Sequence, residues 1–125
     1  MSASLHVLVG SALGGLARYW MGLGAAALLG PRLPWGTLAI NVLGSFVIGL
    51  FGAATAADGR LAGAFWARPL VMVGLCGGFT TFSSFSLQTL ELLHAGEIGW
   101  AAAYVLGSVA LCLLATWAGI VLGQM

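Results

Sequence analysis

Four apolar stretches, at about 5–29, 36–57, 69–94 and 98–123, take up most of this chain, and the connections between them are short. Each is long enough to cross a bilayer, because a spanning helix needs roughly 20 apolar residues. Lipid offers no hydrogen bonds, so the backbone of such a span must satisfy itself, and a helix does so. Composition agrees. Of the 125 residues 61% are hydrophobic and 6% charged, with a mean hydropathy of +1.08. A soluble domain carries about 25% charged residues. The expected fold is an all-α membrane protein, with residues 1–125 forming a single domain of four transmembrane helices.

The connections are punctuated by Pro31 and Pro34, by Asp58-Gly59-Arg60 running on toward Pro69, and by Ala95-Gly96-Glu97. Four spans put both termini on one side. Arg60 and Arg68 lie on that side, Arg32 on the other, and Arg18 inside a span. Orientation follows the Lys/Arg excess in short loops, and two against one is almost no excess. A chain so balanced can insert both ways, which permits an antiparallel dimer. The N-terminus has no basic stretch and no clear cleavage site, so the first helix is expected to stay. A net charge of +1 suggests neither nucleic acid nor an acidic partner. Cys76 and Cys112 make no metal or disulfide pattern and read as small packing residues. Gly10/Gly14, Gly74/Gly78 and Gly119/Gly123 are GxxxG pairs, which let helices approach closely. Some serve packing within one subunit and some between subunits, and spacing does not sort them.

The stretch Gly74–Thr89, GLCGGFTTFSSFSLQT, is unusual for mid-membrane. It concentrates glycine and hydroxyl groups, with Phe79, Phe82 and Phe85 every third residue. Glycine weakens a helix interior by roughly 1 kcal/mol relative to alanine. Non-helical backbone survives in a bilayer only where protein or water covers it. One reading is a helix that breaks near Gly77-Gly78 and lines a polar path; the other is a tight helix crossing. Phe82 and Phe85 share a face, while Thr80, Ser84 and Gln88 form a second stripe. An aromatic ring has a positive edge that can meet an anion, although a phenylalanine stripe is more often packing.

Elsewhere, Thr37, Asn41 and Ser45 fall on one face of the second helix. The Asn41 amide can donate and accept, toward an ion or toward another helix. Arg18 sits mid-span at an insertion cost of about 2.5–3.5 kcal/mol. It therefore faces a water-filled cavity or a partner, or else snorkels beside Tyr19 and Trp20. Tyr104, Ser108, Cys112 and Thr116 form an i+4 stripe on the fourth helix, able to line a path or to bind helices together.

Three blocks together resemble the Fluc (CrcB) family of fluoride ion channels. They are Gly14-Gly15-Leu16-Ala17-Arg18-Tyr19, Gly36 to Phe46 (GTLAINVLGSF), and Gly77 to Ser86 (GGFTTFSSFS). The resemblance covers all four spans. It implies an antiparallel, dual-topology homodimer with a broken third helix and two fluoride pathways. It implies a structural Na⁺ held by the backbone carbonyls of Gly77 and Thr80. It assigns Asn41, Phe82 and Phe85 to the pathway, with Thr81, Ser83 and Ser84 on a polar track joined by Tyr104 and Ser108. Arg18 matches the family's first-helix arginine. The chain departs from the family at Gln88, often an acid, which leaves that end of the track uncharged, and at Ser84, often a threonine, which keeps the hydroxyl.

The resemblance thus implies passive fluoride efflux across a cell inner membrane, in contact with lipid. A proton-coupled small dual-topology exporter is the alternative, and it would need a carboxylate buried mid-span. Asp58 and Glu97 fall in loops and Glu91 near a helix end. A non-transporting assembly subunit is a third reading. No nucleophile–base pair, metal cluster or phosphate loop argues for an enzyme. His6 and His94 read as interfacial.

Overall fold

The computed structural model describes residues 2–125, which fold into four helical spans joined by short turns. Helix α1 covers Ala3–Leu29 and begins at Ser2, whose side chain accepts from the Leu5 amide. It stops at Gly30, where φ of +83° suits a residue without a Cβ. Helix α2 covers Trp35–Ala54. It ends at Thr55, whose hydroxyl donates to the Phe51 carbonyl at 2.7 Å and accepts from Arg68 Nε at 3.2 Å. That pair ties the end of α2 to the start of the third span across the turns of residues 55–67. The third span opens as a π-helical segment, Arg68–Cys76, tightens into α3, Gly77–Phe79, and resumes as α4, Phe82–His94. Helix α5 covers Ile98–Gln124.

All four spans are long and apolar enough to cross a membrane, and the chain is a multi-pass membrane protein. The expected boundaries hold to within three residues at each end. Helices α1 and α5 have 27 residues each. At 1.5 Å per residue that is about 40 Å, longer than a hydrocarbon core of about 30 Å, so they cross with tilt or extend into the headgroups.

Packing pairs α1 with the first half of the third span, and α2 with α5. Glycines make both pairings. Gly10 lies against Gly74: a Cβ on Gly10 would come 2.9 Å from the Gly74 Cα. Gly14 faces Leu75 and the amide of Phe79, and Gly78 faces the backbone of Ser11. On the other pair, Gly119 and Gly123 meet the backbone of Phe46 and Leu50, while Gly49 meets Thr116. All three GxxxG pairs are therefore used inside the one chain. These GxxxG glycines are occupied by the chain's own helices.

The π-helical segment was not legible in the sequence. A π-turn is a rare, locally widened turn, frequently found at functional sites. Here Pro69, which lacks an N–H, stands at its start, and Gly74 is pressed against α1 within it.

Candidate functional site

Helical geometry lapses in the third span at Thr80 and Thr81, both extended (φ −77°, ψ 158° and φ −151°, ψ 116°). The sequence pointed three residues earlier, to Gly77-Gly78, but both of those are helical. Gly78 is needed for contact with α1, while Gly77 has nothing within 4 Å of its Cβ position. Hydroxyl groups, which offer the backbone competing bonds, stand at the lapse instead. Because Thr80 leaves the helix, Thr80, Ser84 and Gln88 do not form the single stripe their spacing suggested.

Side chains from other spans close around the lapse. Asn41 of α2 donates from Nδ2 to the Thr81 carbonyl at 3.0 Å and accepts from the Thr81 amide at 2.8 Å. The carboxamide thus stands in for a strand's backbone, and only one orientation of it satisfies both bonds. One Nδ2 hydrogen is left over. The Thr81 hydroxyl caps α4 by accepting from the Ser84 amide at 3.1 Å, and it lies 3.2 Å from Ser83 Oγ and 3.1 Å from Ser84 Oγ. A threonine before an apolar run is the ordinary N-cap signal, and it could have located this helix start. Thr80 keeps its own amide and hydroxyl on the Cys76 carbonyl at 2.9 and 2.7 Å, and its methyl sits on Gly44. Arg18 reaches the Thr80 carbonyl at 3.5 Å, the long limit of a hydrogen bond. The mid-span arginine therefore faces the lapse, not the headgroups.

Beside the lapse lies a groove of about 410 Å³ between α2, the third span and α5. Asn41, Ser45, Thr81, Phe82, Phe85 and Ser108 line it, with Gly77, Thr80, Cys76 and Cys112. Sequence reasoning gave Cys76 a packing role only, and placed Cys112 in the α5 stripe that could line a path. Among the described residues, no ionised side chain lines the groove. Ser108 is 6% exposed, and its hydroxyl has no hydrogen-bond partner among the described residues. An unmet buried hydroxyl costs about 1–3 kcal/mol, so one that opens on a groove marks a place for an acceptor.

Phe82 and Phe85 reach the groove from α4, and the remaining expected residues lie around it. Phe82 and Phe85 are a tilted pair with centroids 5.4 Å apart, and Phe85 meets Tyr104 at 5.1 Å. The Tyr104 hydroxyl donates to Gln88 Oε1 at 3.0 Å. Ser83 and Ser84 reach the site through the Thr81 hydroxyl, and Thr37 is buried. Thr116 spends its hydroxyl on the Cys112 carbonyl at 3.0 Å, so it acts within its helix. His6 is buried against Phe65 with its Nδ1 2.9 Å from the Ser2 carbonyl. Glu91 is exposed in the last turn of α4, Asp58 is exposed in a turn, and Glu97 precedes α5.

Residues 5–120 match the family described as CrcB-like protein, Camphor Resistance (CrcB). Relatives named fluoride-specific ion channel FluC are similar over most of their length. One from Methylocella silvestris is 55% identical over 92% of this chain and 88% of its own. One from Opitutus terrae is 50% identical over 95% and 90%, and one from Gluconobacter oxydans 56% identical over 87% and 76%. With a match from the start of α1 to near the end of α5 and relatives at half identity or more, the chain belongs to the CrcB family.

Proposed function

We propose that this chain is a fluoride-selective channel, giving passive fluoride efflux across the cell inner membrane as an antiparallel homodimer. The observation that carries this is the uncharged groove at the lapse, with the unpartnered Ser108 hydroxyl in it, in a chain half identical to proteins named fluoride-specific ion channels.

Fluoride is small and holds its water strongly, so a path must replace that water with close donors. Full positive charges would hold the ion too tightly, since conduction needs sites that release. Ser108 offers a free hydroxyl, Asn41 a spare N–H, and Phe82 and Phe85 the positive edges of their rings. Thr81, Ser83 and Ser84 continue the donors along α4, and Tyr104 and Gln88 follow. Chloride is larger and cannot make the same close contacts in a narrow track. Arg18, one residue outside the groove at Thr80, raises the potential for an anion without binding it directly.

A second copy completes the site. Phe82 is 79% exposed, Ser83 is exposed, and Gly77 faces open space, all next to non-helical backbone. Lipid is a poor cover for that surface, and a second third span laid across it buries all of it. The same crossing suits a structural Na⁺. The N–H groups that would close helical turns on the Gly77 and Thr80 carbonyls, those of Thr81 and Ser84, go instead to Asn41 and to the Thr81 hydroxyl. Backbone carbonyls freed this way are suited to Na⁺. Gly77 and Thr80 of two copies would hold the ion, which supplies fixed positive charge beside the path.

The proton-coupled exporter reading needs a buried carboxylate, and Asp58, Glu91 and Glu97 all lie at span ends or in turns. Purified protein in liposomes, with pH clamped equal on both sides, separates the two. Fluoride measured by a selective electrode is expected to leave at full rate. Efflux that appears only under an imposed proton gradient would overturn the channel reading.

A further inference from the structure

On the side of the membrane opposite the termini, the α1–α2 and α4–α5 turns are tied by one ion pair, Arg32 to Glu97 at 3.0 Å. The pair stands over a polar pocket of about 270 Å³ lined also by Pro34, Gln88 and Glu91. Gln88 is the lining residue that matters, because side-chain contacts run from it to the groove. Its Oε1 takes the Tyr104 hydroxyl, Tyr104 meets the Phe85 ring, and Phe85 lines the groove with Ser108. An unbroken run of side chains therefore leads from the uncharged groove to a mouth ringed by three charges.

We infer that this pocket is the loop-side mouth of the fluoride path, and that Glu97 restrains Arg32 as its anion collector. The inference rests on the channel reading above. Arg32 and Glu97 are mutually neutral while paired, which leaves Glu91 as the uncompensated charge at the mouth. Its carboxylate makes no ion pair among the described residues. A net negative mouth is an odd entrance for an anion; it lowers local fluoride and holds flux below what the groove could carry. The pair is well exposed, at 74% and 36%, so solvent weakens it and salt screens it. Arg32 is thus a cation held in reserve, and the balance at the mouth sets capture, not selectivity.

The test is initial fluoride efflux from liposomes at fluoride levels where flux rises linearly with concentration. Removing one unit charge several ångströms from the ion's entry, in water, changes local fluoride by about two- to threefold. Glu97→Gln is expected to raise flux by that factor at about 0.01 M ionic strength, where screening reaches about 30 Å, and not at about 1 M, where it reaches about 3 Å. Arg32→Gln is expected to lower flux by a similar factor at low salt. Glu91→Gln, which breaks no ion pair, is expected to raise it. Unchanged flux in Glu91→Gln and Glu97→Gln at low salt would overturn the inference. So would equal losses in Arg32→Gln and Glu97→Gln at every salt, rescued by the reversed pair Arg32→Glu/Glu97→Arg, since that pattern marks a structural tie. Wild-type protein that carries no fluoride at all would sink the channel reading itself.

Discussion

The two halves of the third span are held by opposite means. From Arg68 to Phe79 the backbone lies directly on α1, glycine against glycine, with Gly74 on Gly10 and Gly78 on Ser11. From Phe82 to His94 the chain is held by side chains: the Thr81 cap, the Asn41 amide, the ring of Phe85 on Tyr104 and the Tyr104–Gln88 bond. The first half has no room along its α1 face and few polar side chains. The second has a groove, unspent donors and an exposed face. One half fixes where the lapse falls, and the other uses it.

The contrast can be broken at several points. Gly78→Val should have the largest effect, because its Cβ would come 2.5 Å from the Ser11 carbonyl, a backbone atom that cannot step aside. Overpacking of this kind costs about 1–3 kcal/mol and often more; the expected outcome is loss of the monodisperse peak in detergent size exclusion. Asn41→Asp should leave that peak intact. It keeps the acceptor for the Thr81 amide but sets a carboxylate against the Thr81 carbonyl and in the anion's way. Fluoride efflux should fall by about 100-fold, as a lost charged-site bond of nearly 3 kcal/mol implies.

Phe85→Ile should reduce efflux by about tenfold with the fold retained, since the branched side chain fills space but lacks the positive ring edge. Normal flux would make Phe85 a packing residue. Ser108→Ala is the smallest change and the most diagnostic. Removing an unpartnered buried hydroxyl should leave the melting temperature unchanged or raise it, while efflux drops by about threefold. A fall in melting temperature instead would mean that the hydroxyl already has a partner in the assembled protein.

The spans were legible because lipid allows a single solution for a long apolar run, and their ends were marked by Pro31, Pro34, Gly96 and the charged turns. That Asn41, Phe82, Phe85 and Ser108 belong together was legible from residue type and resemblance. Their geometry was not. Glycine spacing alone cannot say whether Gly77-Gly78 weakens the helix or packs it, and tertiary contact with Ser11 decided that for Gly78. Nor could spacing show that Asn41 would spend two of its bonds on Thr81, because the partner is a backbone peptide, which every residue has. Arg32 and Glu97 are 65 positions apart and meet only because two turns fall on one side.

The central claim is that an uncharged track at the Thr80–Thr81 lapse selects the smallest halide. Its most direct test is the ratio of fluoride to chloride efflux from liposomes holding wild-type protein at matched gradients. The account predicts that fluoride leaves at least about 100-fold faster, as a difference near 3 kcal/mol in close contacts would give. Equal rates for the two ions would contradict it.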